Sequence, residues 1–585
     1  MKNRILSLLL AMLLMVSVVL VTASCVGPTP DPTPTPDPTP DQEQNNNNNN
    51  QNNNQGNTVN WSETNLLFQM SNNSNKDELA SGCERYLAGQ GSHSQRVDTL
   101  IDERNAQARM ATKTKITYDF WPESDSEHTW SKDITPIMDK ALNPGLTSAP
   151  DMYCTFVYDM VGAMLQGCFA NILSSTRGAN FFRFLDKDYQ DKMAQYANTT
   201  NDFDDAVEDE GYMYQYMTSL TLSANKMYLV GSDYFTDLIR AFFVVPVNMK
   251  VLAENAGAVT SKYDPQGGTD FDALVRIVNS GKWTYNVLKE YCEEVALENE
   301  GKVDLTGRVG FALAGSSGLS SSGMLYTTNI TIINRTGNNL TDYVYSYPET
   351  NAELTQFAVN LKSLMETRGA MTYSASSGAD LREIRNAFST NHVLFGGVIC
   401  VGSLEDEVYQ NMKENNGFGV LPVPLYRDVN PATGKADPYL TQIHNIGRIG
   451  AIAKNTTKFT QCTAFLNYQS TNSTAILNEY YDKTLTQGAA AGTDSEVGNK
   501  EMLTYIRANV RSAFDKIFED AVGNYGAMGS DLWHKVIQSG SANDGAIKTS
   551  PYCIGESMTQ AYASLYTKKA AALGSLWAKF EEFDD

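Results

Sequence analysis

Apolar positions recur at helical spacing over residues 96–110, with Val97, Leu100, Ile101, Ala108 and Met110 forming one side, which predicts an amphipathic helix. Over 114–121 the period drops to two, and Ile116, Tyr118 and Phe120 share a face, as in a half-buried strand. Helical spacing returns at 134–142, followed by a predicted strand at 151–157 and a helix at 160–173. This alternation argues for an α/β fold with a mostly parallel sheet. Residues 241–248 (AFFVVPVN) form a continuous apolar run that reads as a buried strand, with a short helix behind it at 249–256. An amphipathic helix is predicted at 284–296 with Thr284 as its N-cap. Further strands are predicted at 309–314, 393–400, 417–424 and 447–453, and further helices at 350–366, 378–389, 461–468, 502–517 and 560–580.

The amino end follows a different pattern. Residues 1–4 are basic, 5–21 almost wholly apolar, and Thr22-Ala23-Ser24 small, which is the anatomy of a secretory signal peptide over 1–24. The apolar run is also just long enough to span a bilayer as an uncleaved anchor. Cys25 comes next, and Val21-Thr22-Ala23-Ser24-Cys25 resembles a bacterial lipobox, with Thr22 where an aliphatic residue is usual. The resemblance implies lipidation of Cys25. Prolines alternate with Thr and Asp over 28–40, favouring an extended spacer. Residues 45–55 are Asn and Gln alone and build no core. Residues 25–60 therefore read as a surface tether.

Composition narrows the function classes. The 585 residues are 42% hydrophobic and 19% charged, an ordinary globular profile. The net charge of −22 repels phosphate backbones and argues against nucleic acid as a partner. The five His are isolated in sequence, and none of the eight Cys forms a CxxC pair, so no metal site or cofactor is assigned. After Cys25, an odd number of cysteines remains, read as buried small hydrophobes with one or two disulfides as the alternative. No HExxH, Walker A or GxSxG pattern is present, so no catalytic residue is assigned. Paired carboxylates of the glycosidase kind remain the enzyme alternative. The densest acidic run, 202–210, reads as a solvated loop. Residues 298–307 resemble a calcium loop only at Asn299, Gly301 and Asp304, and lack regularly spaced oxygen ligands.

Several stretches together resemble the family 1 extracellular solute-binding lipoproteins of bacterial ABC importers, of clostridial type. Residues 98–105 carry a "D…ERN" core running into the strand that ends near Trp121. Asp151-Met152-Tyr153 leads to Tyr158-Asp159-Met160 and then Gln166-Gly167. Residues 243–253, 283–296, 394–403 with 418–424, 446–454 and 464–468 are similar to further family elements, and all follow the family's order. The inserted acidic stretch 202–211, the Ser/Gly-rich 315–323 and the long C-terminal tail depart from it.

The resemblance implies a two-lobed α/β fold of the periplasmic-binding-protein type II kind, with a ligand cleft between lobes. Lobe 1 would take 61–245 with 447–485, and lobe 2 would take 246–446 with 486–585. The chain would cross near 244–248, return near 444–447 and cross again near Leu485, with hinge closure as the motion. The implied protein is a monomeric, non-enzymatic, lipid-anchored binder on the extracellular face of the cell membrane. It would capture a solute, a carbohydrate first and an oligopeptide second, for an ABC permease. A surface glycoside hydrolase and a non-transport adhesion protein are the alternatives. Sugars stack on aromatic rings and bond polar side chains, and in open α/β sheets ligands gather at the carboxyl ends of strands. Trp121, Tyr158, Asp159, Tyr228 and Asp233 stand at predicted strand ends, and His444 and Asn445 lie at the return crossing. These seven are the candidate ligand-binding residues.

Overall fold

A computed structural model describes residues 62–70, 95–120, 134–143, 145, 149–173, 211, 216–217, 220, 222, 226–314, 323–325, 327–330, 333–335, 343–345, 352–373, 380–415, 417–443, 447–481 and 494–512. Strands are numbered in chain order. The first sheet joins β1 (Thr64–Met70), β2 (Thr114–Phe120), β3 (Met152–Phe156) and, from far down the chain, β13 (Arg448–Ile452). Its order is β13-β3-β1-β2. β1 runs parallel to β2 and β3, whereas β13 closes the edge antiparallel, Arg448 opposite Phe156. Leu66, Phe68 and Met70 alternate into the core at the period of a strand, while β3 and β13 are buried at every position. The helix Gln95–Thr112 connects β1 to β2 and packs on Phe459–Thr471 and Thr474–Tyr480.

The second sheet holds β4 (Phe243–Asn248), β5 (Val309–Ala314), β8 (Ala370–Tyr373), β9 (Val393–Phe395) and β10 (Ile399–Cys400) in the order β10-β4-β9-β5-β8, with β11 (Phe418–Leu421) also on β4. β5 is parallel to β8 and β9, but β4 is antiparallel to β9, β10 and β11. The expected parallel arrangement therefore describes the first sheet better than the second. The chain enters the second sheet along β4, and three later strands return against it. β6 (Ile333–Arg335) and β7 (Tyr343–Tyr345) pair as a separate antiparallel ladder.

Three expected elements are redrawn, and the first is the helix expected over 160–173, which spans Val157–Leu165. The strand expected over 393–400 splits into β9 and β10 because Gly397 adopts φ +78°, a region L-residues rarely enter. The helix expected to begin near Met502 spans Asp494–Ala508 and gives way to β14 (Val510–Ser512). The Thr284 cap forms as expected, its side chain accepting from Val287 N over the helix Tyr285–Val295. Asn248 caps the helix Met249–Asn255 in the same way and also donates to Phe388 O at 2.7 Å.

The halves built on the two sheets meet where three stretches of chain run side by side. Phe242, outbound, bridges Ile443 on the return strand β12 (Thr441–Ile443). Phe243 N donates to Thr441 Oγ1 at 3.1 Å, and Val401 N to Phe242 O at 2.9 Å. β12 in turn pairs in parallel with β14. Most of the buried apolar side chains form one cluster that continues through both sheets, and Val97, Ile101 and Ile476 form a small separate one. The third crossing near Leu485, the signal peptide and the tether lie outside the described residues. Cys154, Cys168, Cys292, Cys400 and Cys462 are buried, as small core hydrophobes. Burial pushes the Cys168 thiol up to about 12, against a smaller opposing pull from Lys454.

Candidate functional site

Because β1, β2 and β3 are parallel, Met70, Phe120 and Phe156 end along one edge of the first sheet. β13 begins at that edge, with four residues between it and the end of the return strand. The crossing and the carboxyl ends of the strands are thus brought together, which is where an open α/β sheet offers a site. The helix Val157–Leu165 starts directly from β3, with Val157 N donating to Gly447 O at 2.7 Å. No side chain caps its first turn.

Two predicted residues stand in that turn. Tyr158 is its second residue and Asp159 its third. Asp159 is fully buried, and the positive end of the helix dipole favours a carboxylate there. Beside them is a residue that sequence reasoning missed. Arg448 is buried and sets its guanidinium 4.4 Å from the centroid of the Phe156 ring, a cation–π contact. The available signal was a charged residue opening an otherwise apolar strand just after the return crossing.

Tyr228 and Asp233 are placed differently. Val230 bridges Gly450 of β13 through reciprocal backbone bonds of 2.8 and 3.1 Å, adding an outer rung to the sheet. In that antiparallel pairing the chain before Val230 runs toward Ile452 and the chain after it toward Arg448. Tyr228 therefore falls on the side of the amino end of β3 and packs as a buried core aromatic. Asp233 falls on the crossing side, where Arg507 Nη2 donates to its Oδ2 at 2.5 Å. Its carboxylate is 1% exposed, so in this arrangement it answers an arginine of this chain. The structure thus gathers Tyr158 and Asp159 at one turn and separates Tyr228 from them. Trp121, His444, Asn445 and the lipidation candidate Cys25 lie outside the described residues.

The partly calcium-like loop is closed on itself. Asp304 Oδ1 accepts from Thr306 Oγ1 at 2.6 Å and from Thr306 N at 2.8 Å. These bonds hold the carboxyl below its usual range. Among the described residues no group of three His, Cys, Asp or Glu is placed to hold a metal, and no helix is long and apolar enough to cross a membrane.

No protein-family profile matches the chain, and no curated protein matches it in sequence. Solved structures do align over most of its length. The GacH receptor of Streptomyces glaucescens, solved unliganded and with acarbose, is 14% identical over 89% of this chain and 98% of its own, with a TM-score of 0.38. The maltose/maltodextrin-binding domain MalE of Bdellovibrio bacteriovorus, bound to maltotriose, is 11% identical over 86% and 100%, at 0.43. A family 1 extracellular solute-binding protein from Bifidobacterium longum subsp. infantis is 10% identical over 89% and 100%, also at 0.43.

Proposed function

We propose that this chain is a solute-binding protein that captures a carbohydrate between its two halves and delivers it to an ABC permease, held at the membrane surface by a lipid on Cys25. The observation that carries the reading is the junction. Two α/β halves are joined by outbound and return segments bonded side by side at Phe242 and Ile443, and the carboxyl edge of the first sheet opens beside them. Such a connection suits hinge motion, with ligand capture as its use. The carbohydrate class is what the sequence resemblance implies, with an oligopeptide as competitor.

A thermal-shift screen of the full chain against mono- and oligosaccharides and peptides tests this. A ligand at a hundred times its Kd adds about 2.7 kcal/mol of stability, and the recovered ligand should be chemically intact. A shift with peptides alone would replace the sugar, cleavage of a glycan would favour the hydrolase, and silence across both classes would sink solute capture. Trp121→Ala should weaken binding roughly ten- to a hundredfold, by analogy with the about 1–3 kcal/mol of base–aromatic stacking, while melting stays near the parent value. Calorimetry beside a melting curve separates the two effects.

A further inference from the structure

Two buried ion pairs span the junction, and they point in opposite directions. In the first, Glu405 comes from the second half, at the end of the 3-10 turn Val401–Glu405 that follows β10. It is gripped from the first half. Arg240 Nε donates to Glu405 Oε1 at 2.7 Å and Arg240 Nη2 to Oε2 at 2.9 Å, while Tyr480 OH donates to Oε1. Arg240 is wholly buried and directly precedes the outbound crossing. Tyr480 ends a helix that packs on the first-sheet helix Gln95–Thr112.

In the second pair the polarity is reversed. Asp233 belongs to the first half through Val230, and its neighbour Ser232 accepts from Ser470 Oγ at 2.7 Å. Arg507 belongs to the second half. Its helix, Asp494–Ala508, is fixed to β11 by Asn499, whose Oδ1 accepts from Val420 N at 2.8 Å. Two residues beyond Arg507, Asn509 O accepts from Thr441 N of the return strand at 3.2 Å.

From this reciprocal arrangement we infer that the pairs are latches that set the angle between the halves, with Asp233 and Glu405 as positioning residues. A bidentate arginine–carboxylate pair is planar and directional. Arg240–Glu405 is of this kind, Asp233–Arg507 adds a single charge-assisted bond at a second point, and two anchor points on one junction resist twist as well as separation. Removing one partner leaves an uncompensated buried charge, whereas removing both does not. This rests on the hinge in the proposed function and needs no particular solute.

The test is double electron–electron resonance without ligand on the full chain carrying Cys25→Ser, Cys83→Ser and Cys553→Ser. Spin labels sit at Met110→Cys on the first half and Val359→Cys on the second, both exposed helix positions. Asp233→Asn and Glu405→Gln should each move the mean distance away from the parent value and widen the distribution. If a single variant fails to fold, the paired variants Asp233→Asn/Arg507→Gln and Glu405→Gln/Arg240→Met should fold better than the singles and show the same displacement. Folded variants that keep the parent distribution, or paired variants no better folded than the singles, overturn the latches. A displaced distance in a chain that binds neither sugar nor peptide leaves the latches standing and removes solute capture.

Discussion

At the scale of single residues, the "ERN" run is explained by one buried cation. Arg104 donates from Nη1 to Ser473 Oγ at 2.8 Å and lies 4.9 Å from the centroid of the Tyr234 ring. Its neighbour Asn105 accepts from Gln469 at 2.9 Å. The pair therefore fixes the first helix to the C-terminal helices of the same half. Burial pulls the Arg104 guanidinium below its ordinary value, only partly offset by Tyr234 and Tyr118. Arg104→Ala should destabilise by about 3 kcal/mol, a charge-assisted hydrogen bond plus a cation–π contact. Arg104→Met should recover part of that, because it keeps the apolar stem and removes a charge whose burial is costly. Urea unfolding midpoints at constant slope measure both, and equal losses for the two variants would contradict the account. The motif was legible in the sequence. Its partners were not, because Ser473 lies 369 positions away.

At the scale of elements, two local devices have measurable consequences. An added Cβ at Gly397 would stand 2.3 Å from Ala312 O, and the positive φ is strained for any other residue. Gly397→Ala should therefore lower the melting temperature well beyond the few degrees that a surface change gives, and a neutral result would mean that the break between β9 and β10 can relax. The second device is the loop between the helices Gly257–Tyr263 and Phe271–Asn279. Asp264 there accepts from Arg276 Nε at 2.8 Å and Nη2 at 2.9 Å, and from Gly268 N. The arginine holds its carboxyl far below the usual range, against burial and with help from the backbone N–H groups of Gly268 and Gln266. A depressed folded pKa gives stability that is fully present above the unfolded value of about 3.9 and is lost as pH falls toward the folded one. Asp264→Asn should flatten that acid limb of a stability–pH curve while lowering the neutral plateau. An unchanged acid limb would assign the acid sensitivity to other carboxylates.

At the scale of the whole molecule, the proposed lipid anchor has a direct test. If Cys25 carries lipid, Cys25→Ala should release the protein from the membrane fraction into the soluble one. Retention would favour the uncleaved apolar anchor at 5–21. The halves themselves are not independent bodies joined by loose linkers. The apolar core continues between them, and buried carboxylate–arginine pairs cross the junction in both directions. Motion between them must therefore disturb a packed interface rather than swing freely.

What the sequence determined by itself is what depends on neighbours along the chain. A period-two face located β2, a continuous apolar run located β4, β3 and β5 stand where strands were expected, and Thr284 announced its own cap. The alternation of Leu66, Phe68 and Met70 in β1, and Asp270 ahead of the helix Phe271–Asn279, are equally local signals. The tertiary structure decided what depends on remote partners. The amphipathic pattern continues past Ala508, yet Val510 becomes a strand because Thr441 offers it a parallel ladder. Asp233 reads as a ligand carboxylate until a helix 274 positions later brings Arg507 to it. Strand direction in the second sheet, the place of Arg448 at the carboxyl edge and the burial of Tyr228 are likewise set by which segments meet. Backbone spacing encodes the period of an element, but the charge, ring or ladder that finally satisfies a buried group comes from wherever the fold brings the chain back.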